Sequence, residues 1–351
     1  MSDAYVVLLD ALNTHGIETS PRNKDIKELI DVTLKINDNE VLMSLPGIRD
    51  ITNATTKEAR YFRAEFIWYM SGSLETQFIS KFGSMWSKLV NKFDNVDEDS
   101  AFAKLNTRVN SNYGYHVFHK VASFPLSVDS TDGRSMFYWV CDELNKDRDS
   151  RKAIIQYTWP IIYNDGVNDF TCTQNQHFLI RNGELINIVN IRSSDAIKGL
   201  TFDIPWWDIV GQLVANATGS TYNKMVVHIN SSHYYKSDDA LVSNILNNRD
   251  KFEMKQLKLR ACDEIQNNLI ETYLRLKRYY SEKFEDTEYI SHWLNDEIDF
   301  DKCDIIMLIQ IICLMHVTLS NALDEYEIKT GMLETFNNMI FDSIFTCGSP
   351  K

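Results

Sequence analysis

The chain has 351 residues and a mass of 40.8 kDa, with 44% apolar and 24% charged residues, 13 Gly and 6 Pro. That usage excludes collagen-like, low-complexity and wholly disordered chains, and the length suffices to bury one large core or two ordinary ones without disulfides. Lys and Arg total 36 against 49 Asp and Glu, for a net charge of -13, which argues against a surface that coats nucleic acid or an anionic membrane while allowing a small anion in a local basic pocket.

The six cysteines, Cys141, Cys172, Cys262, Cys303, Cys313 and Cys347, form no C-x-x-C pair and have no histidines at zinc-finger spacing, so no metal is expected. The start, MSDAYVVLLDALNTHG, lacks the basic segment and long apolar stretch of a secretory leader, and the expectation is a cytoplasmic protein with reduced thiols.

Thr55 and Glu58 have capping-box spacing before a helical run, ARYFRAEFIWYMSG, which Gly72 closes. Further on, QHFLIR and ELINIVNIRSS flank Asn182-Gly183, a strong hairpin signal. In WWDIVGQLVANAT, residues 206–218, the apolar Ile209, Val210, Leu213, Val214 and Ala217 share one helical face. MVVHINSSHYY then reads as a strand. After residue 258 the strand signal fades and three helical stretches remain, near 259–284, 303–325 and 331–346. The greasiest, Ile305 to Leu319, is too short to span a bilayer and must be buried, on the body of the protein or against a partner. The expected class is α/β or α+β: a mixed sheet flanked by helices over residues 1–258, with an all-helical extension at 259–351.

Taken singly, the polar residues of 172–235 carry little. A lone Cys172 before a strand is usually a small buried hydrophobe, Arg192, Ser193 and Asp195 suit a solvated strand end, and His233 and Tyr235 suit satisfied interior groups. Their spacing says more. Arg192, Ser193, Asp195, Gly199, Asp203, His233 and Tyr235 lie 20, 21, 23, 27, 31, 61 and 63 residues after Cys172. With T-C-T, NIRSSDAIKGLTFDI and HINSSHYY, and with AEFIWYMSGS, SNYGYH and DSRKAII upstream in the right order, this ladder resembles the thymidylate synthase superfamily over roughly residues 10–258.

The resemblance implies a homodimer with shared active sites, acting on a pyrimidine nucleotide with 5,10-methylenetetrahydrofolate as cosubstrate. It implies Cys172 as the thiolate that adds to C6 of the ring, Glu65 as the carboxylate organising water and proton transfer, and Tyr113 on the thiol side. It puts Arg192, Ser193 and, from the partner subunit, Arg151 and Lys152 on the phosphate, with Arg22 a looser match because its segment lacks the family's glycine-rich run. His233 and Tyr235 would hold the sugar hydroxyl, and Asp195, Gly199 and Trp86 would lie on the folate side. No direct nucleic-acid or membrane contact is expected, and a nucleotide-synthesis complex is a further possible partner.

One departure bears on the substrate. Asp203 stands where synthases acting on deoxyuridylate carry Asn, and a carboxylate is the natural acceptor for the exocyclic amine of cytosine. With Cys172-Thr173 in place of Cys-His, the segment looks most like the virus-encoded deoxycytidylate hydroxymethylases. In those enzymes water rather than hydride completes the reaction, and the end of this chain, TCGSPK, lacks the apolar closing tail of synthases. The expected activity is therefore hydroxymethylation of dCMP. A dUMP hydroxymethylase or a thymidylate synthase is the alternative, and a non-catalytic scaffold is disfavoured by retention of the nucleophile, Glu65 and the phosphate residues together.

Overall fold

The computed structural model describes residues 3–37, 40–92, 108–119, 135–158, 166–284, 298–323 and 330–348. In chain order these form α1 (Asp3–His15), β1 (Ile17–Thr19), β2 (Ile26–Asn37), β3 (Leu42–Leu45), β4 (Arg49–Asp50), α2 (Lys57–Ser71), α3 (Gln77–Ser80), α4 (Trp86–Leu89), α5 (Tyr113–Phe118) and α6 (Met136–Lys146). There follow β5 (Ile154–Gln156), β6 (Thr173–Arg181), β7 (Glu184–Ile191), β8 (Ser194–Asp195), α7 (Leu200–Thr218), β9 (Thr221–Tyr235), α8 (Asp239–Asn247) and β10 (Glu253–Leu259). The chain closes with α9 (Cys262–Lys283), α10 (Ile305–Ala322), α11 (Thr330–Ile344) and β11 (Phe345–Gly348).

The principal sheet is mixed and runs β1-β2-β9-β7-β6-β5, with β8 beside β9. β7 and β8 lie parallel to β9, and the other pairings are antiparallel. The hairpin forms as its sequence requires: Asn182 and Gly183 take φ of 54° and 81°, the left-handed pair of a tight turn, and Arg181 pairs with Glu184 across it. Along β7 the period of two buries Leu185, Asn187, Val189 and Ile191, and α7 covers that face. The buried Asn187 is satisfied by donating to the Trp207 carbonyl at 2.9 Å.

Several boundaries differ from the sequence expectation. The cap of α2 is Thr56, not Thr55: the Thr56 hydroxyl accepts from Ala59 N at 3.2 Å, while Thr55 bonds Asn53. Helix α7 begins at Leu200, with Pro205 inside it, because backbone bonds from Gly199 N–H to the Asp195 carbonyl and from Phe202 and Asp203 N–H to the Gly199 carbonyl start its winding early. Ala217, at its far end, is exposed. The last helical stretch gives way at Phe345 to a strand, which pairs with β10 in a second sheet of order β11-β10-β3-β4.

The helices after residue 258 pack on the body. Helices α10 and α11 lie against α2, and α10 also meets α3. Arg63, on α2, is 5% exposed, yet it pairs with Asp342 at 2.8 Å, donates to Asn338 at 3.1 Å and stacks on Phe341 at 4.8 Å. Arg60 reaches Glu334 at 3.0 Å. By length and composition α10 could cross a membrane, but 56% of it is buried within the protein. Its His316 is fully buried and bridges Tyr280 and Asn337 at 2.9 and 3.0 Å, burial holding the imidazole neutral with its pKa lowered to about 4. Phe341, packed edge-on against Phe62 and Phe66, is the apolar link between this layer and α2. Phe341→Ala should destabilise the protein by about 3–5 kcal/mol in urea unfolding, whereas Leu274→Ala on the exposed side of α9 should stay within about 0.5 kcal/mol.

Candidate active site

The residues singled out by spacing gather at one end of the principal sheet. An open cleft of about 690 Å³ is lined by Arg22, Arg192, Ser193, His233 and Tyr235 together with Glu28, Asn168, Phe170 and Ser231. The turn after β7 delivers Arg192 and Ser193, and the end of β9 delivers His233 and Tyr235 on one face two residues apart. Arg22 reaches the cleft from a turn in which it and Asn23 hold left-handed φ of 53° and 58°.

Cys172 precedes β6, and Arg192 is built around it. The guanidinium donates from Nε to the Thr171 carbonyl at 3.0 Å and from Nη2 to the Phe170 carbonyl at 2.6 Å, and the same Nη2 lies 3.6 Å from Cys172 Sγ. Burial pushes the thiol up to about 11; Arg192 pulls it down, and Asp203 and Asp169 push it further up. In the free protein Cys172 is therefore a thiol at neutral pH, and added positive charge or a base would be needed to ionise it. Tyr113 stands on the same side, its hydroxyl accepting from Thr173 N–H at 3.2 Å.

A group of acidic residues belongs to the same site. Glu65 projects from α2, a helix buried from Phe62 through Ser71, and burial raises its carboxyl to about 7 against hydrogen bonds from Tyr61 and Tyr69 that lower it. Asp203, in the first turn of α7, is pushed well above the carboxylate range by burial and by the charges of Glu65 and Asp195. Gly199 sits close to it, where a Cβ would come within 3.6 Å of Asp203 Oδ2. Asp195 accepts from Ile197 and Lys198 N–H at 2.8 and 3.0 Å, but burial raises it also. His233 Nδ1 is buried without a protein partner, and burial lowers that imidazole. Trp86 joins the cluster indirectly, through Tyr61.

Arg151 and Lys152 do not line the cleft of their own chain; both are exposed just before β5, where Lys152 Nζ is 4.0 Å from Glu143. The sequence reading missed Tyr61, Glu28 and Asp169. Asp169 is buried and accepts from Asn110 N–H, Ser111 N–H and the Ser111 hydroxyl at 2.6–2.7 Å, tying the segment that leads into Tyr113 to the loop that carries Cys172. A single acid three residues before a cysteine gives no signal of that. Among the described residues no cluster of three or more His, Cys, Asp or Glu is arranged to hold a metal.

A half-buried, guanidinium-flanked thiol beside a basic cleft and a group of raised carboxyls is an arrangement suited to nucleophilic sulfur chemistry with proton transfer on a charged ligand. The family profile described as Thymidylate synthase matches residues 3–293, and the chain belongs to that family, whose members transfer one carbon to a nucleotide with methylenetetrahydrofolate as cosubstrate. Among its relatives, the deoxycytidylate 5-hydroxymethyltransferases of Enterobacteria phages T4 and T6 are each 29% identical over 195 residues, covering 51% of this chain and 70% of theirs. A putative thymidylate synthase of Methanocaldococcus jannaschii is 26% identical over 132 residues, covering 36% of this chain and 57% of its own.

If Arg192 sets the ionisation of Cys172, Arg192→Gln should raise the pH at which the thiolate forms. Alkylation of the Cys172 peptide by iodoacetamide at pH 8 should slow by about threefold or more, with the exposed Cys262 as an unchanged internal standard in the same digest.

Proposed function

We propose that this protein is a deoxycytidylate 5-hydroxymethyltransferase, converting dCMP, 5,10-methylenetetrahydrofolate and water into 5-hydroxymethyl-dCMP and tetrahydrofolate. The observation that carries this reading is a carboxyl, Asp203, within the electrostatic reach of both Glu65 and Cys172, at the position that would face the base. Cytosine offers an amine donor at N4 and an acceptor at N3. An ionised Asp203 accepts from the amine; a protonated one also donates to N3, where electron density collects as sulfur adds to C6. Uracil offers O4 in place of the amine, and an ionised Asp203 then meets it acceptor to acceptor.

In this reading Arg22, Arg192 and Ser193 take the phosphate through charge-assisted hydrogen bonds, and His233 and Tyr235 take the sugar hydroxyl. Cys172 adds to C6 and Tyr113 flanks the sulfur. C5 then bonds to the methylene, and the C5 proton and one proton of water account for the two N–H groups of tetrahydrofolate. The hydroxyl left by that water adds to the exocyclic methylene, and the electrons returned to the ring restore its C5–C6 double bond and expel the Cys172 sulfur, freeing product and enzyme. Glu65, near neutrality, suits handling both protons. Asp195, Gly199 and Trp86 lie on the folate side. The similarity to the phage enzymes, together with Asp203, favours this substrate over dUMP.

Asp203→Asn should lose kcat/KM on dCMP by about ten- to a hundredfold and gain relative activity on dUMP. A protein that prefers dUMP, or a ratio unmoved by the substitution, would assign the uracil substrate instead.

The active form is proposed to be a homodimer in which Arg151 and Lys152 serve the neighbouring cleft. Two features support this: both side chains stand away from their own cleft, and the outer face of the sheet carries half-exposed apolar pairs, Leu179 with Ile186 and Ile188 with Val226. Residues 259–351 would be an extension that buttresses α2. Mixing inactive Cys172→Ser chains with inactive Arg151→Ala chains should restore up to about a quarter of full activity through hybrid dimers. Subunit exchange without any recovery would rule the shared site out.

A further inference from the structure

Glu65 is held by its own helix. Tyr61, one turn earlier, places its hydroxyl 2.7 Å from Glu65 Oε1, and Trp86 Nε1 lies 3.0 Å from the same hydroxyl. An indole N–H can only donate. The Tyr61 oxygen must therefore accept from Trp86, and its single hydrogen is directed to Glu65. The ring has little freedom to turn away: Phe202, next to Asp203, meets it edge-on at 4.9 Å, and a Cβ at Gly83 would come within 2.6 Å of its Cε2. Tyr69, one turn later, supplies a second hydrogen bond to Glu65. From the other packed elements, the titratable groups facing this cluster are Asp203 of α7 and Tyr113 of α5, whose ring lies 5.5 Å from that of Tyr69.

We propose that Tyr61, oriented by Trp86, is a positioning residue that reserves Glu65 Oε1 as a hydrogen-bond acceptor, so that the proton Glu65 exchanges is carried on Oε2. This rests on the reading of Glu65 as the acid and base of the reaction. The geometry has a chemical consequence. A carboxyl free to protonate on either oxygen presents its proton in two directions, whereas one with a committed oxygen presents it in one. The same hydrogen bond favours the ionised form and opposes burial, which would otherwise drive Glu65 higher.

The test begins without substrate. Protein labelled with 13C at the glutamate carboxyls is titrated by NMR, with the Glu65 resonance assigned by its loss in Glu65→Gln. Tyr61→Phe should raise the Glu65 midpoint by about one pH unit, the scale of one hydrogen bond to a charged group. Trp86→Phe leaves the hydroxyl but frees its direction, and should raise the midpoint by less. In turnover on whichever pyrimidine nucleotide is accepted, the acid limb of kcat should move up by the same interval in Tyr61→Phe, lowering kcat at pH 6 by about tenfold with little change in nucleotide KM. An unmoved midpoint, or a kcat lowered equally at every pH, would overturn the proposal. A shifted midpoint in a protein that turns over no pyrimidine nucleotide would uphold this assignment and strike the proposed function alone. Should Tyr61→Phe fail to fold, Trp86→Phe decides by the same titration.

Discussion

A helix buried on every side must find a partner for each polar group it carries, and α2 is such a helix. From Phe62 to Ser71 no residue is left to solvent, yet the stretch contains both an arginine and a glutamate. Much of the molecule follows from satisfying those two. Arg63 faces the C-terminal helices, which supply Asp342, Asn338 and the ring of Phe341. Glu65 faces the candidate site, where Tyr61 and Tyr69 supply hydrogen bonds and burial raises its carboxyl to about 7. Removing either set of partners would leave a charge desolvated and unpaired, at a cost several times that of an ordinary surface contact.

This connects the last ninety residues of the chain to its chemistry without giving them a catalytic group. Helices α10 and α11 occupy one side of α2, so that burial of Glu65 on the other side can be complete. The strand pairing of β11 with β10 extends the second sheet, and the fully hydrogen-bonded His316 lets α10 be buried without an orphaned polar ring. The apolar character of α10 is thus explained by packing inside the protein.

Charge is divided along the site in a way that suits addition to a phosphorylated pyrimidine. Two arginines stand at the open cleft, and three carboxyls, Glu65, Asp195 and Asp203, are held above their ordinary range by burial. Cys172 lies between, raised by burial and by the acids and lowered by Arg192. The three carboxyls and the thiol are each held back from the charged form in the free protein, and a ligand that brings hydrogen-bond donors or positive charge to them would rebalance them.

Much of this was legible in the residues themselves. The hairpin at Asn182-Gly183 was readable because left-handed backbone admits few residue types, and β6, β7 and β9 because their apolar side chains alternate with period two, whereas β1, β2, β5 and β8 were not read. The site ladder from Cys172 to Tyr235 was readable through its resemblance to the family's motifs, which match without a gap across β6, β7, α7 and β9. Other features had no such local signature. The cap moved from Thr55 to Thr56 because two adjacent hydroxyls compete for one turn; β11 became a strand because an edge of β10 lay within reach; Tyr61, Glu28 and Asp169 became site residues because α4, the end of β9 and the 110–111 segment were brought to them. Sequence by itself determined the Asn-Gly hairpin, most of the helices and which residue types carry the chemistry, since these follow from local backbone preference and side-chain identity. Only the tertiary structure decided which oxygen of Glu65 is committed, how far each acid is shifted and what covers α2, because hydrogen-bond direction, desolvation and burial belong to groups that are distant in the chain and meet only when it folds.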